Sequence, residues 1–167
     1  MEKVKPWAPV YVLEGCDNTG KTTYALDLCE REKATYVKTY YKDWSIEQLN
    51  RFQDQFFCHG SEVPTVLDRV PIISHYIYNN VIRGDNSYTL DQVVFFVKDW
   101  FIYSRGKVNL IYFRPDTQTV KTFDDRPQMK GVIENVEKLL FAYDRLFDVF
   151  RSEDIPFTVH DWSKHHV

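Results

Sequence analysis

The run Val10-Tyr11-Val12-Leu13-Glu14-Gly15-Cys16-Asp17-Asn18-Thr19-Gly20-Lys21-Thr22-Thr23 decides how this chain is read. Its first five residues are mostly β-branched, aromatic or aliphatic, the composition of a short strand. Residues 15–22 fit G-x-x-x-x-G-K-[ST]. Beyond Lys21 the apolar residues Tyr24, Ala25, Leu28 and Cys29 recur at helical spacing. Strand, glycine turn and helix in that order are the context a phosphate-cradling loop requires. The glycines let the backbone curl until several N–H groups converge on phosphate oxygens, and the helix N-terminus adds positive potential. Gly15, Asp17, Asn18, Thr19, Gly20, Lys21, Thr22 and Thr23 are therefore the expected nucleotide-binding set. Lys21 is expected to reach the β- and γ-phosphates and the Thr22 hydroxyl to hold Mg²⁺, which makes ATP and Mg²⁺ the implied cofactors. A chance turn of this pattern is roughly a one-per-cent coincidence on average residue usage.

Outward from that loop, strand and helix signals alternate to the end of the chain without a linker or a repeat. Strands are predicted over 10–14, 35–40, 65–68, 108–113 and 156–160. Helices are predicted from 21 onward and over 46–57, 71–83, 90–103 and 132–150, with a polar stretch at 115–130. Short apolar strands separated by helices imply right-handed crossovers, a parallel sheet and helices on both faces. The expected class is α/β, a five-stranded P-loop NTPase fold. In such sheets ligands bind beyond the carboxyl ends of the strands. Those ends carry Glu14 to Thr22, the region after Tyr40, Asp68 and Arg69, Arg114, and Asp161.

Bulk properties agree. At 167 residues the chain suits one domain spanning 1–167, and 44% hydrophobic with 27% charged residues excludes disorder. The formal charge of -3 disfavours a protein built to grip nucleic acid, without forbidding a local basic site. No apolar run reaches membrane-span length, and MEKVKPW lacks a signal-peptide core. Cys16, Cys29 and Cys58 form neither a disulfide framework nor a zinc pattern, so a reducing, cytoplasmic setting is expected. Cys16 lies near Lys21 and a helix N-terminus, which would lower its pKa and make it sensitive to thiol reagents. His59, His75 and His160 are isolated, without metal-ligand spacing. Most of the aromatic residues, 16% of the chain, are assigned to packing. Phe95, Phe96, Trp100 and Tyr103 fall at core spacing on one helix.

Asp68-Arg69 is the second landmark. A carboxylate at that strand end suits the Mg²⁺ shell, and the planar fork of the arginine matches phosphate oxygens between donor and acceptor. Taken alone the pair is a surface ion pair; after a phosphate-loop strand and before a helix it reads as functional.

Glu14-Gly15-Cys16-Asp17-Asn18-Thr19-Gly20-Lys21-Thr22-Thr23 resembles the E-G-x-D-x-x-G-K-[ST]-T loop of thymidylate kinases. Asp68-Arg69-Val70-Pro71-Ile72-Ile73-Ser74 is similar to the D-R-x-P-x-I-S segment of short phage-encoded relatives, as are Gly131 to Asn135 and Tyr143-Asp144. The resemblance implies a mobile lid, here about 115–131. It also implies that Asp17 contacts a deoxyribose 3′-hydroxyl and that Arg69 holds the acceptor phosphate. The chain departs from some members in carrying Asn18 where they have arginine. Members without that arginine supply lid cations, and Lys121, Arg126 and Lys130 are the candidates here. Arg126 is preferred because a delocalised fork suits the transferring phosphoryl group, although Asp124 and Asp125 flank it. Related kinases are often dimers, and residues 71–103 offer such an interface.

For the acceptor pocket the sequence offers Lys38, Tyr40 and Tyr41 after the second strand, and Ser74, Tyr76 and Tyr78 on the helix after Arg69. A ring there could stack on a nucleobase. The leading reading is ATP-dependent phosphorylation of a deoxynucleoside monophosphate, thymidylate-like or carrying a modified pyrimidine. The alternative is a kinase acting on a hydroxyl, in a deoxynucleoside or in 5-hydroxymethyluracil of phage DNA. That chemistry needs a carboxylate base such as Asp43, Asp17 or Asp68. A third reading, a nucleotide-dependent switch, lacks an N-K-x-D guanine motif.

Overall fold

A computed structural model describes residues 7–38, 43–84, 88–122 and 131–165. Five strands form one sheet: β1 (Val10–Glu14), β2 (Thr35–Lys38), β3 (Thr65–Asp68), β4 (Val108–Phe113) and β5 (Thr158–His160). Their order is β2-β3-β1-β4-β5, and every pairing is parallel. β1 lies at the centre, with Leu13 opposite Asp68 on one side and Ile111 on the other. The chain winds from β1 to β2 and β3 on one side, then crosses to β4 and β5 on the other. The order therefore reverses between β1 and β3, where a crevice opens at the strand ends.

Among the described residues there are six α-helices: α1 (Lys21–Glu32), α2 (Ile46–Phe57), α3 (Pro71–Tyr78), α4 (Leu90–Tyr103), α5 (Thr117–Thr122) and α6 (Val136–Ser152). Local chemistry fixes their starts. Ser45 and Gln48 cap α2 reciprocally, with Gln48 N donating to Ser45 Oγ at 3.2 Å and Ser45 N to Gln48 Oε1 at 2.8 Å. Thr89 and Gln92 do the same for α4. Each pair satisfies two backbone donors that a helix N-terminus otherwise leaves without a partner. Pro71 opens α3, where its missing N–H costs nothing.

The larger core lies where α2, α3, α4 and α6 meet the sheet and includes Phe57, Ile72, Ile77, Tyr143 and Phe147. A smaller core of Leu13, Ala25, Leu28, Val66, Ile111 and Phe113 packs under α1. Trp100 stacks on Phe57 with ring centroids 4.3 Å apart. Of the α4 aromatics expected as core with one as a pocket wall, Trp100 is buried and Phe96 packs partly buried against the core, whereas Phe95 and Tyr103 are 60% and 54% exposed. Helical spacing placed them near the apolar stripe, but only Val93, Val97 and Trp100 of α4 are buried.

Other boundaries also move. The helix expected over 71–83 becomes α3 plus a π-turn, Asn79–Arg83, which ends at Gly84 in the left-handed conformation. β5 begins at Thr158 because Pro156 lacks the donor a ladder needs. Within the polar stretch 115–130, residues 117–122 form α5, started by Asp116, whose carboxylate accepts the Thr119 N–H at 2.9 Å. Among the described residues no helix is long and apolar enough to cross a membrane.

Candidate active site

The loop leaving β1 turns sharply at Gly15 (φ +144°). A side chain there would come 2.6 Å from the Phe113 carbonyl oxygen, so the loop lies directly on β4. Asn18 (φ 60°) and Gly20 (φ 80°) are left-handed. Inside the loop the Lys21 ammonium donates to Cys16 O at 2.5 Å and to Thr19 Oγ1 at 3.0 Å, while Thr19 Oγ1 donates to Cys16 O at 2.9 Å. Lys21 is only 6% exposed. Burial, reinforced by the neighbouring Arg69 charge, pulls its pKa down to about 8. A desolvated cation curled into a ring of backbone is poised for an anion of high charge density.

The carboxylate of Asp68, at the end of β3, accepts from Thr22 Oγ1 at 2.9 Å and from Tyr36 OH at 2.8 Å. Lys38 Nζ lies 3.6 Å from the same carboxylate and 3.3 Å from the Thr22 hydroxyl. Burial pushes the Asp68 carboxyl up, but Lys21, the Tyr36 hydroxyl and Arg69 outweigh it and hold it below its ordinary range. Thr22 and Asp68 thus offer two hard oxygen donors side by side at the mouth of the loop, the donor type that Mg²⁺ takes alongside phosphates and water. Thr23 is exposed on the first turn of α1.

Arg69 follows with φ 76°, a conformation that costs a non-glycine residue about 1 kcal/mol or more and is held only where surroundings dictate it. Its own N–H donates to Leu13 O at 3.0 Å. The next N–H, of Val70, donates to Glu14 at 2.7 Å. The guanidinium then reaches across the crevice, donating from Nη2 to Asp17 Oδ1 at 2.8 Å and lying 4.8 Å from the Tyr78 ring centroid. Tyr78 OH donates to Asp17 Oδ2 at 2.8 Å. Burial raises the Asp17 carboxyl, but Arg69, Lys21 and the Tyr78 hydroxyl more than offset this and keep it ionised. Arg69 stays charged as well: burial pulls it down, but Asp17 together with Tyr78, Tyr143 and Glu14 more than offsets this.

Of the residues singled out in the sequence, Asp17, Lys21, Thr22, Asp68, Arg69, Ser74 and Tyr78 come together around this crevice. Ser74 lies deeper, its hydroxyl 3.5 Å from both Glu14 carboxylate oxygens. Lys38, expected beside an acceptor, instead sits against Thr22 and Asp68. Lys121 is paired with Glu137. Tyr40, Tyr41, Arg126 and Lys130 lie outside the described residues. Arg114 makes a bidentate pair with Asp144, at 2.8 Å from Nε and 3.0 Å from Nη2, and Tyr112 OH joins the same carboxylate.

The expectation for Cys16 is overturned. The thiol is fully buried, and burial together with Asp17 pushes it up to about 11, past what Lys21 and Arg69 can offset. Tyr36 and Trp162 escaped the sequence reading, and Tyr143, quoted there only as part of a similar segment, had no role assigned. Tyr36 sits on β2 in an ordinary strand pattern, and Tyr143 donates to Glu14 at 3.2 Å from 129 positions away. Trp162 donates its indole N–H to Thr19 O at 2.9 Å. Its only signal was its place next to Asp161, just beyond the last strand.

No protein-family model matches the sequence, and comparison with curated proteins gives no match. Solved structures do resemble it. The YorR protein of Bacillus subtilis, in complex with phosphorylated GDP, shares 16% identity at a TM-score of 0.63, with 94% of this chain and 86% of that one covered. Deoxyadenosine kinase of M. mycoides, with dCMP and dCDP bound, shares 18% identity at 0.59, covering 91% and 89%. Thymidylate kinase of Candida albicans shares 11% at 0.55, covering 93% and 84%. The chain has the α/β P-loop fold seen in these nucleotide-binding proteins.

Proposed function

We propose that this protein is a nucleotide kinase that transfers the γ-phosphoryl group of ATP to the phosphate of a deoxynucleoside monophosphate, thymidylate-like or carrying a modified pyrimidine. The observation that carries the reading is the fixed arginine beside the phosphate loop: Arg69, strained at φ 76° and held by Asp17 across 2.8 Å. A charged guanidinium oriented in the crevice at the ends of β1 and β3 suits an anionic acceptor. Likeness to a thymidylate kinase and a deoxyadenosine kinase in fold is consistent with phosphoryl transfer to either class of acceptor.

On this reading Lys21 and the loop N–H groups take the β- and γ-phosphates. Arg69 takes the acceptor phosphate, and Asp17 orients Arg69 and receives a sugar hydroxyl. Tyr78 fixes the second oxygen of Asp17, and Ser74 and Tyr78 border the acceptor side. Thr22 and Asp68 would hold Mg²⁺, which would neutralise charge on the triphosphate. Lys38 adds a positive charge next to that pair. An acceptor phosphate is already anionic, so no general base is required, and catalysis reduces to alignment and charge stabilisation.

The hydroxyl-acceptor alternative draws on the carboxylate of Asp17, which faces the same crevice and stays ionised. Asp43 is exposed in the turn before α2. The test is ADP release with ATP and Mg²⁺ across nucleosides, nucleoside monophosphates and 5-hydroxymethyluracil DNA. Selective turnover of one deoxynucleoside monophosphate is expected. Activity confined to a nucleoside or to DNA would overturn the monophosphate reading.

A further inference from the structure

A peptide unit that closes a phosphate loop has to face a chosen way, because its N–H and C=O point in opposite directions across a planar trans bond. The unit between Thr19 and Gly20 is such a case. Its carbonyl accepts the Trp162 indole N–H at 2.9 Å, so the Gly20 N–H points to the side away from the indole. The ring is pressed against the glycine: a side chain at position 20 would come 2.9 Å from Nε1 and 3.5 Å from Cδ1. Trp162 therefore both sets the tilt of this unit and accounts for the absence of a Cβ there.

The indole is delivered by a stiff frame. β5 is laddered to β4, and Arg114 N donates to His160 O at 3.0 Å just past the ladder. Asp161 accepts the Ser163 N–H at 3.1 Å and the Lys164 ammonium at 3.0 Å, closing the turn that carries Trp162. Ser163 Oγ in turn accepts the Asp116 N–H at 3.1 Å, tying the turn to the start of α5.

We propose that Trp162 is a positioning residue for phosphate binding: by holding the Thr19 carbonyl outward it aims the Gly20 N–H at the triphosphate. This rests on the nucleotide-kinase reading of the loop. It assigns the indole a task at the phosphates, distinct from stacking on a nucleobase.

The experiment is calorimetric titration of MgATP and of tripolyphosphate, which has no base, into the wild type and Trp162→Phe, with steady-state kinetics alongside. Phenylalanine keeps a ring against Gly20 and removes the donor. The expected result is about tenfold weaker binding of both ligands, the worth of one oriented hydrogen bond. The acceptor KM and the binding stoichiometry are expected to stay unchanged; distortion of the acceptor side would raise the first and partial unfolding would lower the second. Unchanged tripolyphosphate affinity overturns the proposal, including the case where only ATP binding suffers, since that would make the indole a wall for the base. A wild type that binds neither ligand removes the nucleotide-kinase reading itself. Should the variant not fold, the wild-type indole N–H resonances decide. One of the four is expected to shift with tripolyphosphate, and none moving overturns the proposal.

Discussion

Arg69 and Asp17 meet at 2.8 Å and so lock the turn after β3 to the loop after β1. With side chains 19% and 27% exposed, the pair is sheltered enough for each charge to need the other. Arg69→Ala is expected to lower kcat/KM for the acceptor by about 100-fold or more, the scale of removing one transition-state donor. ATP affinity is expected to change far less. Steady-state kinetics with each substrate varied in turn checks this. Equal loss for both would mean that Arg69 serves only the fold.

Lys21→Ala separates function from stability in the opposite sense. The fold buries Lys21 at a cost, as its depressed pKa records. The variant is therefore expected to melt no lower than the wild type at pH 7. Turnover is expected to fall by about 100-fold or more, since the charge that faces the transferring phosphoryl is gone. Thermal melting and an ADP-release assay on the same preparation test the two halves together.

Much of this was legible in the sequence because the phosphate loop is local. Residues 15–22 carry the whole motif in consecutive positions, and alternating strands and helices give a parallel sheet by the handedness of the crossovers. Asp68 and Arg69 were legible from their place at a strand end. What escaped were contacts made by ordinary residues across long separations. Tyr36 and Tyr143 look like packing tyrosines until the fold brings their hydroxyls to Asp68 and Glu14. Lys38 was placed on the acceptor side by sequence order, but the register of β2 on β3 sets it opposite Asp68. The raised pKa of Cys16 was not legible because spacing reveals nearby charge but not burial.

The burial of Cys16 has a direct test. The Cys16 thiol is fully buried with its pKa pushed up to about 11, whereas Cys58 is exposed. Iodoacetamide at pH 8 is expected to modify Cys58 first and to leave Cys16 unmodified in the folded protein. Peptide mass spectrometry over a time course checks the order. Early labelling of Cys16 would contradict its burial.

Gly15→Ala probes the seat of the loop on β4. The new methyl group would lie 2.6 Å from a backbone oxygen at a φ of +144°, so both space and conformation oppose it. A loss of about 2 kcal/mol or more is expected, as for other strained core substitutions. Urea unfolding measures it. A neutral substitution would show that the loop can lift away from Phe113.

Glu14 gives the fold a pH dependence whose sign runs against the usual carboxylate. Burial pushes its pKa up to about 7 despite the Val70 N–H, Arg69, Lys21 and the Tyr143 hydroxyl. The folded state therefore binds a proton that the unfolded chain, titrating near 4.5, has released. Between those two values the native state holds more protons, so this group's contribution to stability falls as pH rises. The full swing is at most about 3.5 kcal/mol, since each pKa unit is worth about 1.4 kcal/mol. Glu14→Gln is neutral at every pH and keeps an oxygen to accept from Val70. Melting both proteins from pH 5 to 8 is expected to show the wild type losing ground to the variant as pH rises. A constant difference would mean that the donors around Glu14 keep it ionised throughout. Loss of the variant's fold at every pH would instead show that the Val70 contact needs a carboxyl group.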